Sequence, residues 1–378
     1  MLLLGIVLIA ANMRASITAV GPLLSEITHA YGLSGTAAGL LTAAPVLCFA
    51  AFSPYAPRLS RRVGMENALL AAMVALFAGI VVRSLPSAFT LFVGTVVLAA
   101  GVAMANVLLP ALVKQHFSAR QSTITALYAN TMGFVAAIAS GVAVPLADVL
   151  PGGWRVSLGA WSVLVLAGMV LWLPRVWGRQ DPGPARRHTP LPWRSRVAWQ
   201  VTAFMGLQSF GFYVMIGWLP SFLRSHHVSA RSAGFELLAY QLAAIVATLS
   251  LPLLADHRRD HRAPAAAAAA CCAIAYVGLL VAPHVSLLWV ILAGCGSGPA
   301  LVFALSFMAL RARGPSHAAA LSAMAQSAGY LIAAAGPFMF GALHALTGSW
   351  SLSLVALLAS AVGFFGFSFS AGSPKASV

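Results

Sequence analysis

The feature that most constrains this chain is a series of apolar segments, each about as long as a membrane-crossing helix. A helix needs roughly 20 mostly apolar residues to span the hydrocarbon core of a bilayer. Segments of this kind recur twelve times, separated by charged, glycine-rich or proline-rich breaks. Their approximate limits are 2–26, 36–57, 66–84, 88–112, 121–147, 155–174, 197–222, 234–255, 264–283, 285–309, 317–343 and 350–370. The sequence therefore predicts an all-α integral membrane protein with twelve transmembrane helices, whose surroundings are the lipid bilayer.

A composition this apolar excludes several classes of protein. Of the 378 residues, 60% are apolar and 8% are charged, whereas soluble domains are about half apolar and a quarter charged. Too few charges remain to cover the surface of a soluble enzyme or a nucleic-acid-binding module. The first apolar segment is too long for a cleavable signal peptide and lacks a polar lead. We therefore expect the native chain to begin a few residues earlier.

The cysteines do not indicate a metal site. All four lie inside apolar segments at no metal-ligand spacing, at Cys48, Cys271, Cys272 and Cys295. Buried cysteine commonly behaves as a small apolar residue, and neither a zinc motif nor a disulfide framework follows from this pattern. We expect no metal and no cofactor.

The net charge of +15 reports orientation before it reports a binding partner. If the N-terminus is cytoplasmic, seventeen of the 22 Lys and Arg residues fall in cytoplasmic loops. Four fall in outside loops, namely Arg83, Arg155, Arg224 and Arg231, and Arg14 lies within a span. This bias predicts that both termini are cytoplasmic, and it leaves no reason to expect a nucleic-acid partner.

One hydrophilic segment divides the chain into six spans and six spans. It runs from about Arg175 to Arg196 and is rich in proline, glycine and arginine, which is typical of a linker. We predict an N-terminal six-helix bundle over 1–177, a cytoplasmic linker over 178–196 and a C-terminal six-helix bundle over 197–378.

The two halves are related by an internal repeat. When the sequence is shifted by 195 residues, LSGTAAG at 33–39 meets VSARSAG at 228–234, and the basic cluster at 58–62 meets the one at 256–259. The matches keep their order along two equivalent loops, which indicates a duplication. Two parallel six-helix repeats are typical of secondary transporters that hold their substrate near the bilayer midplane.

Polar side chains inside the spans are candidates for the substrate site, because in hydrocarbon they usually face protein or a watery cavity. Interhelical hydrogen bonding is the alternative role for each of them. In span 10, GCGSGP at 294–299 predicts close backbone approach and a break in the helix. The candidates are Asn12 and Arg14 in span 1, Asn106 in span 4, Tyr128 and Asn130 in span 5, Gln208 and Tyr213 in span 7, and Gln326 and Tyr330 in span 11.

Arg14 is the most informative of these residues. It lies about 12 residues, or roughly 18 Å, into span 1, where an arginine costs between ~3 and ~17 kcal/mol by different estimates. Of the seven acidic residues only Glu236 lies inside a span, by about one turn. A guanidinium with no carboxylate at its own depth would bind an anion or a strongly dipolar acceptor such as a nitro group. The alternative is that Arg14 joins helices by bonding backbone carbonyls and Asn12.

The repeat places Ser209 at the position equivalent to Arg14. One half would then supply the charge and the other a neutral hydrogen-bonding wall, which suits a small, singly charged ligand. Proton-coupled transporters commonly carry Asp, Glu or His deep in the membrane, but the ten His residues lie in loops or near span ends. This favours passive facilitation or exchange, with Glu236 or protonation of the substrate as the remaining routes to coupling.

Four stretches resemble one bacterial branch of the major facilitator superfamily, the cyanate transporter and nitroimidazole exporter family. They are NMRASITAVGPLL at 12–24, NVLLPALVKQHF at 106–117, GGWR at 152–155 and GWLPSFL at 217–223. The resemblance extends over the whole chain and implies twelve helices in two pseudo-symmetric six-helix bundles, an inner-membrane location and small anionic or nitro-type substrates. It also matches Asn12, Arg14, Asn106 and Lys114 to family motifs.

These observations favour a secondary transporter, acting as a monomer, that binds a small anion or nitro compound at Arg14 and carries it by alternating access. An exporter of apolar drugs from the same superfamily is the main alternative. An integral membrane enzyme is more distant, because the sequence contains no HExxH motif and no nucleophile with a buried base. A receptor without transport activity is a third alternative, although no long soluble sensing segment is present.

Overall fold

The computed structural model describes residues 2–117, 120–176, 191–255, 261–312 and 315–373. Within these residues the chain is almost entirely helical and contains no strand. Most of the predicted linker, at 178–190, and the second basic cluster, at 256–259, lie outside the described residues. The helices are α1 (Leu2–Thr18), α2 (Val20–Tyr31), α3 (Gly35–Phe52), α4 (Ala56–Val63), α5 (Met65–Arg83), α6 (Ala88–His116), α7 (Gln121–Val149), α8 (Trp154–Val176), α9 (Arg196–Ser225), α10 (Ala230–Ala255), α11 (Arg262–Val281), α12 (Ser286–Leu310), α13 (Pro315–Thr347) and α14 (Ser351–Ala371).

The predicted fold class is confirmed. In the described part of the chain, eleven helical spans are long and apolar enough to cross a membrane by length and composition. The pair α1 and α2, bent by 41° at a short break, supplies a twelfth. Two helices start at serine caps: the Ser87 hydroxyl accepts from the Phe89 backbone N–H, and the Ser195 hydroxyl accepts from that of Ala198.

The first span differs from its prediction as one continuous helix over 2–26. Helix α1 ends at Thr18, and α2 begins at Val20 and continues to Tyr31. The physical reason is Pro22: it has no backbone N–H for the carbonyl of Thr18, four residues earlier, and its ring crowds that carbonyl. Pro22 thus accounts for the hydrogen bond that is missing at the break.

The first compact unit comprises residues 1–32 and 44–186. Within it α1 packs against α7 and α8, and α5 packs against α6 and α8. The α5–α6 pair is especially close, because a Cβ on Gly94 would overlap the backbone nitrogen of Arg83 and lie 2.6 Å from its Cα. The backbones of α5 and α6 thus touch at the end of α5.

The second compact unit comprises residues 33–43 and 187–378. Within it α9 packs against α13 and α14, and α12 packs between α10 and α11. The beginning of α3 belongs to this unit: a Cβ on Gly39 would lie 2.9 Å from the carbonyl oxygen of Pro337, and one on Gly217 would lie 3.1 Å from Cβ of Thr42. The rest of α3, which contains Pro45, belongs to the first unit.

The expectation of a break in span 10 is wrong. Helix α12 is continuous from Ser286 to Leu310 although it contains Pro299. The small residues of GCGSGP act by close packing instead, since a Cβ on Gly296 would overlap the carbonyl oxygen of Ala268 in α11. The equivalent contact exists in the first unit, where a Cβ on Gly101 would overlap the carbonyl oxygen of Ala72.

Candidate functional site

Arg14 lies on α1 between two buried residues, Met13 and Ala15. Its own side chain is partly exposed, unlike its neighbours, and it has an interaction partner within the structure. A partly exposed guanidinium on an otherwise buried helix is accessible to a ligand while its position is set by the packing of the helix around it.

Asn12 is held on the side of α1 that faces α8. Its Nδ2 donates to the carbonyl oxygen of Leu8 at 2.7 Å and to that of Leu164 in α8 at 3.2 Å, and the side chain is 3% exposed. Two residues correspond to about 200° around a helix, so Asn12 and Arg14 point to nearly opposite faces. The contacts of Asn12 suit the attachment of α1 to its neighbour.

Near the break after Thr18, residues of α1 form hydrogen bonds with two neighbouring helices. The last carbonyls of a helix have no partner within it. Here Nη1 of Arg83, at the end of α5, donates to the carbonyl oxygen of Ser16 at 2.7 Å. The Thr18 hydroxyl donates to the carbonyl oxygen of Ala136 in α7 at 3.0 Å. Together with the bond from Asn12 to Leu164 in α8, these contacts join α1 to three neighbouring helices, on both sides of Arg14.

Arg83 is a residue that the sequence reasoning missed. It was assigned to an outside loop, but its side chain is 1% exposed. Its Nε and Nη2 are buried without a hydrogen-bond partner, as is the hydroxyl of Ser16. Arg311, assigned to a cytoplasmic loop, is also buried at 4% exposure and donates from Nε to the carbonyl oxygen of Ala371 at 2.7 Å. The available signal for Arg83 was Pro22, which leaves the carbonyl of Thr18, in the same last turn as Ser16, without its N–H donor. No comparable signal in the sequence pointed to Arg311.

The other candidates in the first unit lie on α6 and α7. Asn106 and Asn130 are partly exposed, and Tyr128 is 8% exposed. An amide and a phenol can both accept and donate hydrogen bonds. These side chains are therefore chemically able to hydrogen-bond a substrate, as was expected from the sequence. The side chain of Lys114 lies outside the described part of the structure.

In the second unit, α9 carries a buried polar cluster that includes Ser209, the equivalent of Arg14, and its neighbour Gln208. Nε2 of Gln208 donates to the hydroxyl of Ser209 at 2.6 Å and approaches Sδ of Met205 at 3.4 Å. Gln208 is 5% and Ser209 4% exposed. The ring of Tyr213, further along α9, meets that of Phe212 edge-to-face at 5.2 Å. This cluster is polar and neutral.

Gln326 and Tyr330 occupy successive turns of α13 and are both partly exposed. Nε2 of Gln326 donates to the hydroxyl of Ser322 at 2.8 Å. Glu236 lies on α10, where its Oε1 accepts from the hydroxyl of Ser286 at 3.1 Å while its Oε2 is buried without a hydrogen-bond partner. Among the described residues no group of three or more His, Cys, Asp or Glu could hold a metal ion.

Comparison with known proteins places this chain in a family. The chain is 43% identical over 371 residues to the 2-nitroimidazole transporter of Escherichia coli K12, covering 97% of this chain and 94% of that protein. It is 25% identical over 354 residues to the cyanate transport protein CynX of the same organism, covering 92% and 91%. Among solved structures, a D-xylose–proton symporter matches with a TM-score of 0.78 at 13% identity, covering 97% and 96%.

The family model that matches is that of the Major Facilitator Superfamily, over residues 3–337. The fold of the symporter agrees with this match, and the resemblance expected from the four sequence stretches is confirmed. The chain is a multi-pass membrane transporter, and it belongs to the Major Facilitator Superfamily.

Proposed function

We propose that this protein carries a small anion or a nitro compound, of the cyanate or 2-nitroimidazole type, across the bacterial inner membrane by alternating access. Arg14 is the cation that binds the substrate. The substrate class is supported by the relatives, one a 2-nitroimidazole transporter and another a cyanate transport protein.

The observation that carries the proposal is the placement of Arg14. A charged, partly exposed guanidinium lies near the middle of the bent apolar span formed by α1 and α2, between two buried residues. Such a side chain is costly in a membrane and usually marks a substrate or ion pathway. A planar guanidinium can donate two parallel hydrogen bonds to the paired oxygens of a nitro or carboxylate group.

The remaining substrate contacts in the proposal are neutral. In the first unit the neutral candidates are Asn106, Tyr128 and Asn130, and in the second they are Gln208, Tyr213, Gln326 and Tyr330. Asn12 supports α1 through Leu164 and does not contact the substrate directly. A single cation with neutral hydrogen-bonding partners suits a small ligand of one negative charge or one strong dipole.

Coupling of transport to a proton gradient would distinguish a proton-coupled transporter from a facilitator or an exchanger. We infer facilitated or exchange transport, because the candidate carboxylate, Glu236, lies near one end of α10, where its Oε1 accepts a hydrogen bond from Ser286. Both termini are cytoplasmic in this proposal, and the monomer is the functional unit.

The main alternative is export of apolar drugs by the same fold. The charge of Arg14 is the observation against cationic drugs, because like charges repel in a medium of low dielectric constant. Catalysis is a more distant alternative that no arrangement of the described residues favours.

The experiment is uptake of radiolabelled 2-nitroimidazole and of cyanate into liposomes containing the purified protein. We expect Arg14→Ala to abolish saturable uptake of the better substrate, and Arg14→Lys to impair it by about tenfold because an ammonium cannot make the paired contact. Arg61→Ala, an exposed arginine on α4, is the matched control and should transport normally. Normal uptake by Arg14→Ala would refute the assigned role of Arg14.

The same assay decides the coupling. We expect an imposed pH gradient to leave the final substrate level unchanged in the wild type and in Glu236→Gln. Accumulation driven by the gradient in the wild type, and lost in Glu236→Gln, would show that the protein is proton-coupled instead.

A further inference from the structure

Helix α1 ends at Thr18, and its last carbonyls therefore need donors from elsewhere. The Ala19 backbone N–H still donates to the carbonyl oxygen of Ala15 at 3.1 Å. Beyond that bond the α-helical pattern stops, and Pro22 cannot provide the N–H that Thr18 would use. The carbonyl of Ser16 lies within this last turn of α1.

Arg83 provides a donor to that carbonyl. Its Nη1 lies 2.7 Å from the Ser16 oxygen, and the side chain is almost completely buried. A cation at the C-terminal end of a helix also interacts favourably with the helix dipole. Arg83 thus acts as a C-terminal cap for α1 that is supplied by another helix.

The backbone of Arg83 is itself held in place. Because Gly94 has no side chain, α6 contacts the nitrogen and Cα of Arg83 directly. An arginine whose backbone and side chain are both packed has little freedom to follow a moving acceptor. The contact therefore fixes Ser16 relative to the α5–α6 pair.

Ser16 lies two residues from Arg14 on the same helix. On the other side of Arg14, Asn12 bonds the carbonyl of Leu164 in α8. The guanidinium of Arg14 consequently extends from a segment of α1 that is fixed at both ends, by α8 before it and by α5 after it. Loss of either contact would let that segment rotate or fray.

We infer that Arg83 is a positioning residue: it caps the broken end of α1 and thereby sets the position of the Arg14 guanidinium. This inference rests on the proposed role of Arg14 in substrate binding. Arg83 does not contact the substrate.

The test combines hydrogen–deuterium exchange with transport kinetics in the full-length protein in liposomes. We expect Arg83→Gln to speed exchange of the peptide covering 10–24 by about tenfold, because local opening of the end of α1 becomes easier. Exchange over 205–219 in α9 should not change. Arg83→Lys, which keeps the charge, should restore most of the protection.

The expected change in KM tests whether Arg83 positions the Arg14 guanidinium. Arg83→Gln should raise KM for 2-nitroimidazole about tenfold, equivalent to ~1.4 kcal/mol, while the maximal rate stays within about threefold of wild type. Arg311→Gln is the matched control, since it removes another buried arginine that bonds a helix-end carbonyl. It should change neither the exchange over 10–24 nor KM.

Unchanged exchange over 10–24 in Arg83→Gln would overturn the inference, as would faster exchange with an unchanged KM. If Arg14→Ala transports normally, the proposed function fails, and the exchange experiment still decides whether Arg83 caps α1.

If Arg83→Gln does not fold, the double variant with Pro22→Ala decides. Alanine lets the helix continue, so that Ser16 bonds the N–H of Val20 and no longer needs Arg83. Recovery of folded protein would support the inference, and its absence would refute it.

Discussion

The two units begin with equivalent helices that are built differently. In the second unit α9 runs for 30 residues without interruption, whereas the first unit has α1 and α2 with a break at Ala19. Under the 195-residue shift, Pro22 corresponds to Gly217 and Arg14 to Ser209. The unit that carries the charge in its first helix is thus the one in which that helix is broken. The comparison indicates that the fold has become specialised on one side.

The pair α5–α6 in the first unit and its counterpart α11–α12 in the second also differ, in the sizes of the side chains at their contact. Arg83 and Gly94 in the first unit correspond to Gly278 and Trp289 in the second. Gly94 lies against the backbone of Arg83, and the ring of Trp289 lies over Gly278. The large residue of the pair lies on α5 in the first unit, but on α12, the counterpart of α6, in the second. Each large residue bonds a helix-end carbonyl: Arg83 reaches Ser16, and Nε1 of Trp289 donates to the oxygen of Ala282 at 3.0 Å.

The largest effect is expected when the second unit is given the charge of the first. Ser209→Arg should remove nearly all folded protein, because Ser209 is 4% exposed and its hydroxyl accepts from Gln208. The buried cation would cost ~3 kcal/mol or more. Folded yield is measured by size-exclusion chromatography of detergent extracts. Ser209→Ala is the control and should fold normally. A monodisperse Ser209→Arg protein at wild-type yield would mean that the two first helices tolerate charge equally.

A smaller effect should separate the two close helix contacts. Gly94→Ala pushes a methyl group against the backbone of Arg83, which cannot move aside, and overpacking of this kind costs about 1–3 kcal/mol. Gly278→Ala meets the ring of Trp289, a partly exposed side chain that can shift. We expect Gly94→Ala to lower the thermal midpoint more than Gly278→Ala, and only Gly94→Ala to raise KM. Equal losses of stability with equal KM values would contradict the asymmetry.

The smallest effects should come from the neutral side chains of α9. Tyr213→Phe removes one hydroxyl and Gln208→Leu one amide, and a single neutral hydrogen bond contributes about 1 kcal/mol. We expect KM for 2-nitroimidazole to rise about threefold to fivefold in each, with normal folding. Ser225→Ala, near the end of α9 and away from this cluster, serves as the control. A loss as complete as that expected for Arg14→Ala would place the decisive contact in the second unit instead.

The sequence predicted most of the fold, because a membrane-spanning helix is a property of consecutive residues. Eleven spans appear where the apolar segments lie, and the bent pair completes the twelve. The break in the first span was missed although its cause, Pro22, is visible in the sequence. Prolines at 110, 145, 220 and 299 lie within continuous helices, so the presence of a proline alone does not separate the two outcomes.

The candidate site was harder to predict, because it depends on contacts between residues far apart in the chain. Arg14 was selected from its depth in an apolar segment. Arg83 was assigned to a loop because an arginine at the end of a span is normally in water, whereas here its acceptor is the carbonyl of Ser16, 67 residues earlier. Asn12 was selected as a site residue next to Arg14, but the helix turns its side chain towards Leu164. Neither the acceptor nor the direction of a side chain can be read from hydropathy.

The paired glycine contacts of the two units also carry information about history. Gly101 and Gly296 are equivalent under the 195-residue shift, and each brings its helix against a carbonyl of the preceding antiparallel neighbour. A feature present in both copies of a duplicated unit was inherited from the single ancestor of both. Arg14, Pro22 and Arg83 occur in one copy only, and so the two copies diverged at these positions after the duplication. The shared glycine contacts are therefore older than the differences between the two units at Arg14, Pro22 and Arg83.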